Sequence, residues 1–214
     1  MRVSLKIIET DAQIRQEILK ALAPEIDRAI GRSVLYIKNR LVGVIKSSLI
    51  KEPEYSSLIS GQLKYELGIA NSSTVDRVID AVLQTVRVSY NKATVAPNGI
   101  KGGLSITVLS GEDVRGLIKT DIASVFDDDG YYLPWLEWLL LKGTSPLVKK
   151  FEVKLGTNSR SRTGNAIMVS STTNWSVPSS FAGTETNNWF TRALNRINNA
   201  DIQNIIQQEI EKRI

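Results

Sequence analysis

The residues able to do chemistry in this 214-residue chain are few, because it contains neither cysteine nor histidine. That removes thiol nucleophiles, disulfides, Cys/His zinc sites and every general base built on imidazole. Carboxylates, lysine, tyrosine and oxygen-ligated metals are what remain. Glu137 stands out, set between Trp135 and Trp138 in LPWLEWLLLKG. A carboxylate in such surroundings has its charged form disfavoured unless it is paired. Glycosidase-type acid catalysis needs a second carboxylate across a cleft, and nothing in the sequence identifies one. The expectation for Glu137 is a structural ion pair with an arginine such as Arg162 or Arg192.

Two further stretches invite a binding reading. Asp127, Asp128 and Asp129 precede Gly130, but the D-x-[DN]-x-[DN]-G spacing of a calcium loop is not met, so the segment reads as a solvated turn. SRSRTG, from Ser159 to Gly164, combines Arg160 and Arg162 with hydroxyls and glycine. It resembles a phosphate nest in composition but lacks the G-x-x-x-x-G-K-[ST] pattern, so a basic turn between strands is the default. No catalytic residue, cofactor or metal ligand is expected.

The elements around these residues follow from periodicity. Val3, Leu5 and Ile7 alternate as a short strand or arm. A helical pattern starts near Asp11 and meets Pro24, which is expected to interrupt or kink it. It resumes through Ile26, Ile30, Val34, Ile37, Leu41 and Val44, spacings that mark one apolar stripe. A helix from Glu25 to Ser48 would be roughly 36 Å long at ~1.5 Å per residue. From Arg28 to Lys51 every charged residue is basic: Arg28, Arg32, Lys38, Arg40, Lys46 and Lys51. This run is either a solvated face or an electrostatic contact with DNA or an acidic neighbour.

Pro53 opens a further helix and Gly68 closes it, and another begins after Thr74 as N-cap. Val86, Val88 and Tyr90, then Leu104, Ile106 and Val108, alternate as a hairpin with a longish loop holding Pro97-Asn98-Gly99 and Gly102-Gly103. The segment from Val114 to Phe126 is ambiguous. Phe151 to Leu155 and Ile167 to Val169 read as strands, and two helices close the chain, from Asn188 to Ile197 and from Asp201 to Arg213. Thr184, Asn187 and Asn188 are candidate caps for the first. The Ser/Thr/Asn-rich stretch 157–188, with Arg160, Arg162, Trp175 and Phe181, reads as an extended loop that is functional or ordered by a neighbour.

LPWLEWLLLKG is apolar nearly all round as a helix, so it packs in the core or against another subunit. The fold class is therefore α+β: an antiparallel sheet packed by a long N-terminal helix and C-terminal helices, in one domain. The formal net charge of +5 permits nucleic-acid contact without demanding it. No apolar run spans a membrane, and the N-terminus turns acidic too early for a signal peptide.

Three segments together resemble the neck, or tail-completion, proteins of tailed bacteriophages, including minor tail proteins of the lambda Z type. They are EYSSLISGQLKYELGI, YYLPWLEWLLLKGT and WSVPSSFAGTETNNWFTRAL. Ser60-Gly61-Gln62-Leu63, Trp135 to Gly143 and Pro178 to Leu194 stand where that group carries TGxLxxSI-like, aromatic-Glu-aromatic-x-GT and PF-like segments. The phrases SRTG-x-A-x-M and VPxxFAGT are also similar to those of large-phage neck proteins. Extra residues separate Trp138 from Gly143, and the stretch from Arg160 to Phe181 is expanded.

The resemblance implies a virion protein made in the host cytoplasm. It would form a ring of six or twelve copies at the head–tail junction, touching connector and tail proteins, with non-specific contact to the DNA in the channel. Ring assembly needs two different faces meeting head to tail. The basic run of Arg28, Arg32 and Arg40 and the acidic run of Asp121, Asp127, Asp128 and Asp129 are candidates for them. Trp135, Trp138, Arg160, Arg162, Trp175 and Phe181 complete the candidate interface set. A basic DNA-binding module using helix 25–51 is the alternative.

Overall fold

A computed structural model describes residues 10–126, 130 and 132–214. The alternating stretch at Val3, Leu5 and Ile7 and the acidic triplet Asp127–Asp129 lie outside these residues. The class is α+β, with small antiparallel sheets and a long N-terminal helix. By its contacts the chain divides into two compact units, each continuous in space but not in sequence.

Helix α1, Asp11–Lys51, contributes to both: residues up to Leu41 belong to the first unit and those from Val42 to the second. Its start is a capping box. The Thr10 hydroxyl accepts from the Gln13 N–H (3.3 Å), and the Gln13 amide oxygen accepts from the Thr10 N–H (2.8 Å). Pro24 does not break the helix. It is exposed, so water can meet the carbonyl that loses its partner. At the far end Glu52-Pro53 stops the helix, because a residue preceding proline is pushed out of the α region. The buried stripe in the first unit is Ala29, Ile30, Ser33, Ile37 and Leu41. It includes a serine that a purely apolar count misses, while Val34 stays half-exposed.

The rest of the first unit is the hairpin β1 (Arg87–Ala96) and β2 (Gly99–Thr107) with the C-terminal helix α8 (Asn199–Glu211). The expected long loop is only a Pro97-Asn98 turn, because the strands continue through Gly102 and Gly103. The register shifts between Asn91 and Thr94. The bulged Ala93 N–H is taken up by the Asp27 carboxylate of α1 at 2.9 Å. Gly102 lies across from this bulge at φ +157°, and a Cβ there would sit 3.0 Å from Ala93 Cα. Arg15 and Gln16 donate to the carbonyls of Asn98 and Pro97, tying the turn to α1.

Helix α8 is fastened by Glu209, whose side chain is 6% exposed. Its carboxylate meets Lys212 at 2.8 Å, Arg213 at 2.9 Å and Arg40 at 3.1 Å. The Arg213 guanidinium also lies 3.7 Å over the Tyr36 ring. The Ser33 hydroxyl is shared between the carbonyls of Ala29 (2.7 Å) and Glu209 (2.9 Å). The Glu209 carboxylate is covered largely by the side chains that pair with it. The Lys212 hydrogen bond does most to pull its pKa down to about 2. Burial opposes the shift, and Arg213 and Arg40 reinforce it.

The second unit holds the remaining elements. Pro53 starts α2 (Pro53–Ser60), as expected, but Gly61 divides the expected single helix, leaving α3 (Gln62–Glu66). Gly68, at φ +68°, turns the chain after it. Helix α4 (Ser73–Gln84) starts one residue before Thr74, not after it, and buries Val75, Val78, Ile79, Val82 and Leu83. The ambiguous stretch resolves into α5 (Gly111–Leu117), opened by a Ser110–Asp113 capping box, and a 3-10 turn at Asp121–Ala123. Short strands β3 (Val125–Phe126) and β4 (Tyr132–Leu133) lead to α6 (Trp135–Leu141). Hairpin β5 (Val148–Leu155) and β6 (Ala166–Trp175) follows, and α7 (Trp189–Asn195) closes the unit. Strand β6 contains the expected strand at Ile167 to Val169 and continues to Trp175, through the middle of the stretch otherwise read as an extended loop at 157–188. Polar residues on the open face of a two-stranded sheet make a strand look like a loop.

Two buried carboxylates organise this unit. Glu54 has no exposed side-chain surface and pairs with Arg192 of α7. Glu52 is 1% exposed and meets Arg196 Nε at 2.7 Å. The indole N–H of Trp189 donates to the Leu49 carbonyl at 3.0 Å, and the Ser48 hydroxyl to that of Ala193 at 2.6 Å. Asn188 caps α7, accepting from the N–H groups of Phe190 and Thr191.

Glu209 is held below its ordinary value, so its stabilisation is present above about pH 4.5 and is lost as pH falls through 2. Glu209→Gln should lower the unfolding midpoint at pH 7. It should also flatten the fall in stability between pH 4.5 and 2, as followed by thermal unfolding at several pH values.

Candidate functional site

Helix α6 is where the LPWLEWLLLKG segment becomes structure. Trp135, Leu136, Leu139 and Leu140 are fully buried. Trp135 donates its indole N–H to the Ile122 carbonyl at 3.1 Å. Trp135 is thus a core residue within its own unit, the first of the two placements the sequence left open for this segment. Trp138 behaves differently. It is half-buried, and its ring lies 5.8 Å from that of Trp175 at 56°. Glu137 pairs with Lys142 at 2.7 Å, so neither Arg162 nor Arg192 is its partner. Arg192 is committed to Glu54, and Lys142 is one turn away on the same segment.

Beside Trp138 opens a cleft of about 610 Å³. The end of α3 and the turn after it supply Tyr65, Glu66 and Gly68, while β6 supplies Ala166 to Val169. Val153 of β5 adds apolar surface, and Arg160 and Arg162 form its basic part. Arg160 is exposed and Arg162 half-buried, and neither guanidinium has a hydrogen bond or ion pair among the described residues. Burial raises the Glu66 pKa, and the hydrogen bond from Gln62 pulls it back in part. Its Oε1 accepts from Gln62 at 2.6 Å, while its buried Oε2 has no hydrogen-bond partner. The cleft therefore combines an apolar floor, two unpaired cations and one incompletely satisfied carboxyl group.

The other candidate residues are scattered. Trp175 is buried behind Trp138, and Phe181 is half-buried in the Pro178–Ala182 turn. Arg28 pairs with Glu25 at 2.5 Å on the surface. Arg40 pairs within its own unit with Glu209 and Gln208. Lys46 lies 3.4 Å from Asp80. Arg32 is exposed. The unbroken basic run is thus neutralised in part by acids from elsewhere in the chain. Glu52, Glu54, Glu66 and Glu209 carry most of the buried electrostatics, and the sequence flags none of them. The only legible hint was the i,i+3 and i,i+4 spacing of Glu209 from Lys212 and Arg213.

Among the described residues no group of three or more Asp/Glu side chains is placed to hold a metal ion, and no helix is long and apolar enough to cross a membrane. The chain matches no protein-family model, no curated protein and no solved structure.

Two of the three segments that carry the phage resemblance meet directly. Gly143, after α6, donates its N–H to the Gly183 carbonyl at 2.9 Å. A Cβ on Gly183 would lie 2.5 Å from the Leu139 carbonyl oxygen and 2.7 Å from Asn188 Cβ. Gly183→Ala should cost about 3 kcal/mol, the upper part of the range for overpacking. Gly116→Ala, where a Cβ meets nothing within 4 Å, should instead be neutral or stabilising by about 0.5 kcal/mol. Chemical denaturation of the two variants side by side checks the contrast.

Proposed function

We propose that this chain is a non-catalytic virion structural protein of the head–tail junction of a tailed bacteriophage. It would be one protomer of a ring of six or twelve copies that joins the head connector to the tail around the DNA channel. The observation that carries the reading is an uncovered apolar row on α1. Ile14, Ile18 and Leu22 are 36%, 53% and 46% exposed at successive four-residue steps. Such a row is one face of a helix, and large apolar side chains aligned in this way are the mark of an association surface.

Two features add support. Among the described residues all three sheets are two-stranded, so each keeps unpaired edges. Only Ala93 is buried in the nineteen-residue hairpin β1–β2. A two-stranded hairpin is marginal by itself, and packing against a neighbour would stabilise it. The contact between the Gly143 and Gly183 segments gives the resemblance a spatial basis, since two motifs far apart in sequence form one piece of core.

The DNA-binding alternative has less support, because Arg28, Arg40 and Lys46 already face Glu25, Glu209 and Asp80. Duplex DNA is expected to bind no tighter than about 10 μM at physiological salt, within the range of non-specific contacts. Titration of labelled duplex with the purified protein checks this.

Native mass spectrometry of the purified protein should show a closed ring. Ile18→Asp should yield monomers with an unchanged unfolding midpoint, since the residue is exposed. A wild-type protein that stays monomeric at every concentration and is never found in particles would overturn the reading.

A further inference from the structure

Hairpin β5–β6 leaves one of its faces open. Phe151, Val153 and Leu155 of β5 lie opposite Ser170, Met168 and Ala166 of β6. Residues directly opposite, and residues two apart along a strand, share a face. One face therefore carries Phe151, Val153, Leu155 and Met168 side by side, and Phe151, Leu155 and Met168 are 37%, 61% and 39% exposed. The hairpin and its turn are also basic. Lys149, Lys150, Lys154, Arg160 and Arg162 stand against a single acid, Glu152. That acid lies on the other face, where Lys154 is 3.6 Å from it. At the ends of the apolar strip are Lys149 and Lys150, just before Phe151, and Arg160 in the turn after Leu155, all exposed.

The uncovered row of α1 has the opposite character. Asp11 lies one turn before Ile14 and Glu25 one turn after Leu22, at the i,i+3 spacing that places them on the face of the row. The basic residues between them are engaged: Arg15 donates to the Asn98 carbonyl and Lys20 pairs with Glu17. Glu25 has Arg28 beside it at 2.5 Å, an exposed pair of little strength. The lengths agree as well. Ile14 to Leu22 spans about 12 Å of helix at ~1.5 Å per residue, and Phe151 to Leu155 about 13 Å of strand at ~3.3 Å per residue.

From this complementarity we infer that the α1 row of one copy docks on the open β5–β6 face of a second copy of this chain. The inference rests on the association surface read above on α1 and names what covers it. Ile14, Ile18 and Leu22 lie on Phe151, Val153, Leu155 and Met168, with the acids of the helix at the basic ends of the hairpin. Charge decides against the symmetric alternatives. Two α1 rows brought together set acid against acid, Asp11 on Asp11 when parallel and Asp11 on Glu25 when antiparallel. Two hairpin faces brought together crowd their lysines, and like charges across an interface are costly. The contact is therefore heterologous. Each copy gives its helix to one neighbour and its hairpin to the other, an arrangement that closes into a ring or runs on as a filament.

Mixing two defective variants of the full chain tests this. Ile18→Asp spoils the helix and Leu155→Asp the hairpin. Both residues are exposed, so each variant should keep the wild-type unfolding midpoint and sediment as a monomer. Mixed in equal amounts they should form a dimer and go no further. The mixture retains one sound pair of faces, the helix of the Leu155→Asp chain and the hairpin of the Ile18→Asp chain. A chain carrying both substitutions should pair with neither variant. Lys149→Glu with Lys150→Glu in the Ile18→Asp chain should weaken the mixed dimer about tenfold, and Asp11→Lys with Glu25→Lys in its partner should recover it. Wild-type rings beside a mixture that stays monomeric overturn the inference and leave the ring reading standing. Leu155→Asp chains that assemble as the wild type does have the same meaning. A mixed dimer beside a wild type that forms open filaments upholds the inference and counts against the ring. A wild type that never associates overturns both.

Discussion

Glu52 and Glu54 sit at the corner where α1 gives way to α2, with essentially no surface left for water. A carboxylate in that position must be met by a cation, and Arg196 and Arg192 of α7 meet them. Removing one partner of a buried pair leaves an uncompensated charge at a cost of about 3–5 kcal/mol, against a total stability of roughly 5–15 kcal/mol for a typical domain. The second unit therefore draws a large part of its stability from α7 being in place. Trp189 and Ser48 add the hydrogen bonds that fix how α7 lies on the end of α1. Placement of α7 in turn fixes its cap, Asn188, and the close approach of Gly183 to the carbonyls of Leu139 and Leu140. That approach sets the end of α6, the helix that presents Trp138 to the cleft. A chain of contacts thus leads from two buried acids to the wall of the candidate binding site.

The first unit meets the same difficulty with more local means. Glu209 takes two of its three cations from its own helical end, Lys212 and Arg213, and only Arg40 from α1. Because two partners lie three and four residues away, they are already near when α8 forms. The distant contact with Arg40, together with the Ser33 hydroxyl, then ties α8 to α1. The β1–β2 hairpin donates to Asp27, accepts from Arg15 and Gln16, and buries little. That difference marks the hairpin as the part of the first unit with most to gain from a neighbour.

Much of the fold was legible because it rests on periodicity. The start of α1 near Asp11, the α2 start at Pro53, the hairpin strands and the two C-terminal helices follow from spacing and, at Pro53 and Asn188, from helix-start chemistry. The misses have identifiable physical causes. Pro24 was expected to disturb α1, but an exposed proline leaves its orphaned carbonyl to water. Strand β6 was expected only from Ile167 to Val169 and its continuation to Trp175 was read as loop, because that part is serine, threonine and asparagine, and tertiary pairing overrides that composition. In the site, Arg160, Arg162, Trp138 and Trp175 were singled out for composition, and all four lie in or directly behind one cleft. Tyr65 and Glu66 went unnoticed, since nothing in the sequence brings α3 beside β6. Glu52 and Glu54 flank a proline at a helix start, where acids are ordinary on an exposed first turn, so their burial left no mark.

The chain's chemistry is used mainly for fastening. With no thiol and no imidazole, its buried reactive groups are carboxylates, and Glu52, Glu54 and Glu209 each meet a cation inside the fold. At the surface, what stays uncovered is of another kind: an apolar row on α1, the open edge of β6, and the guanidinium groups of Arg160 and Arg162. Apolar rows and open strand edges gain free energy by being covered.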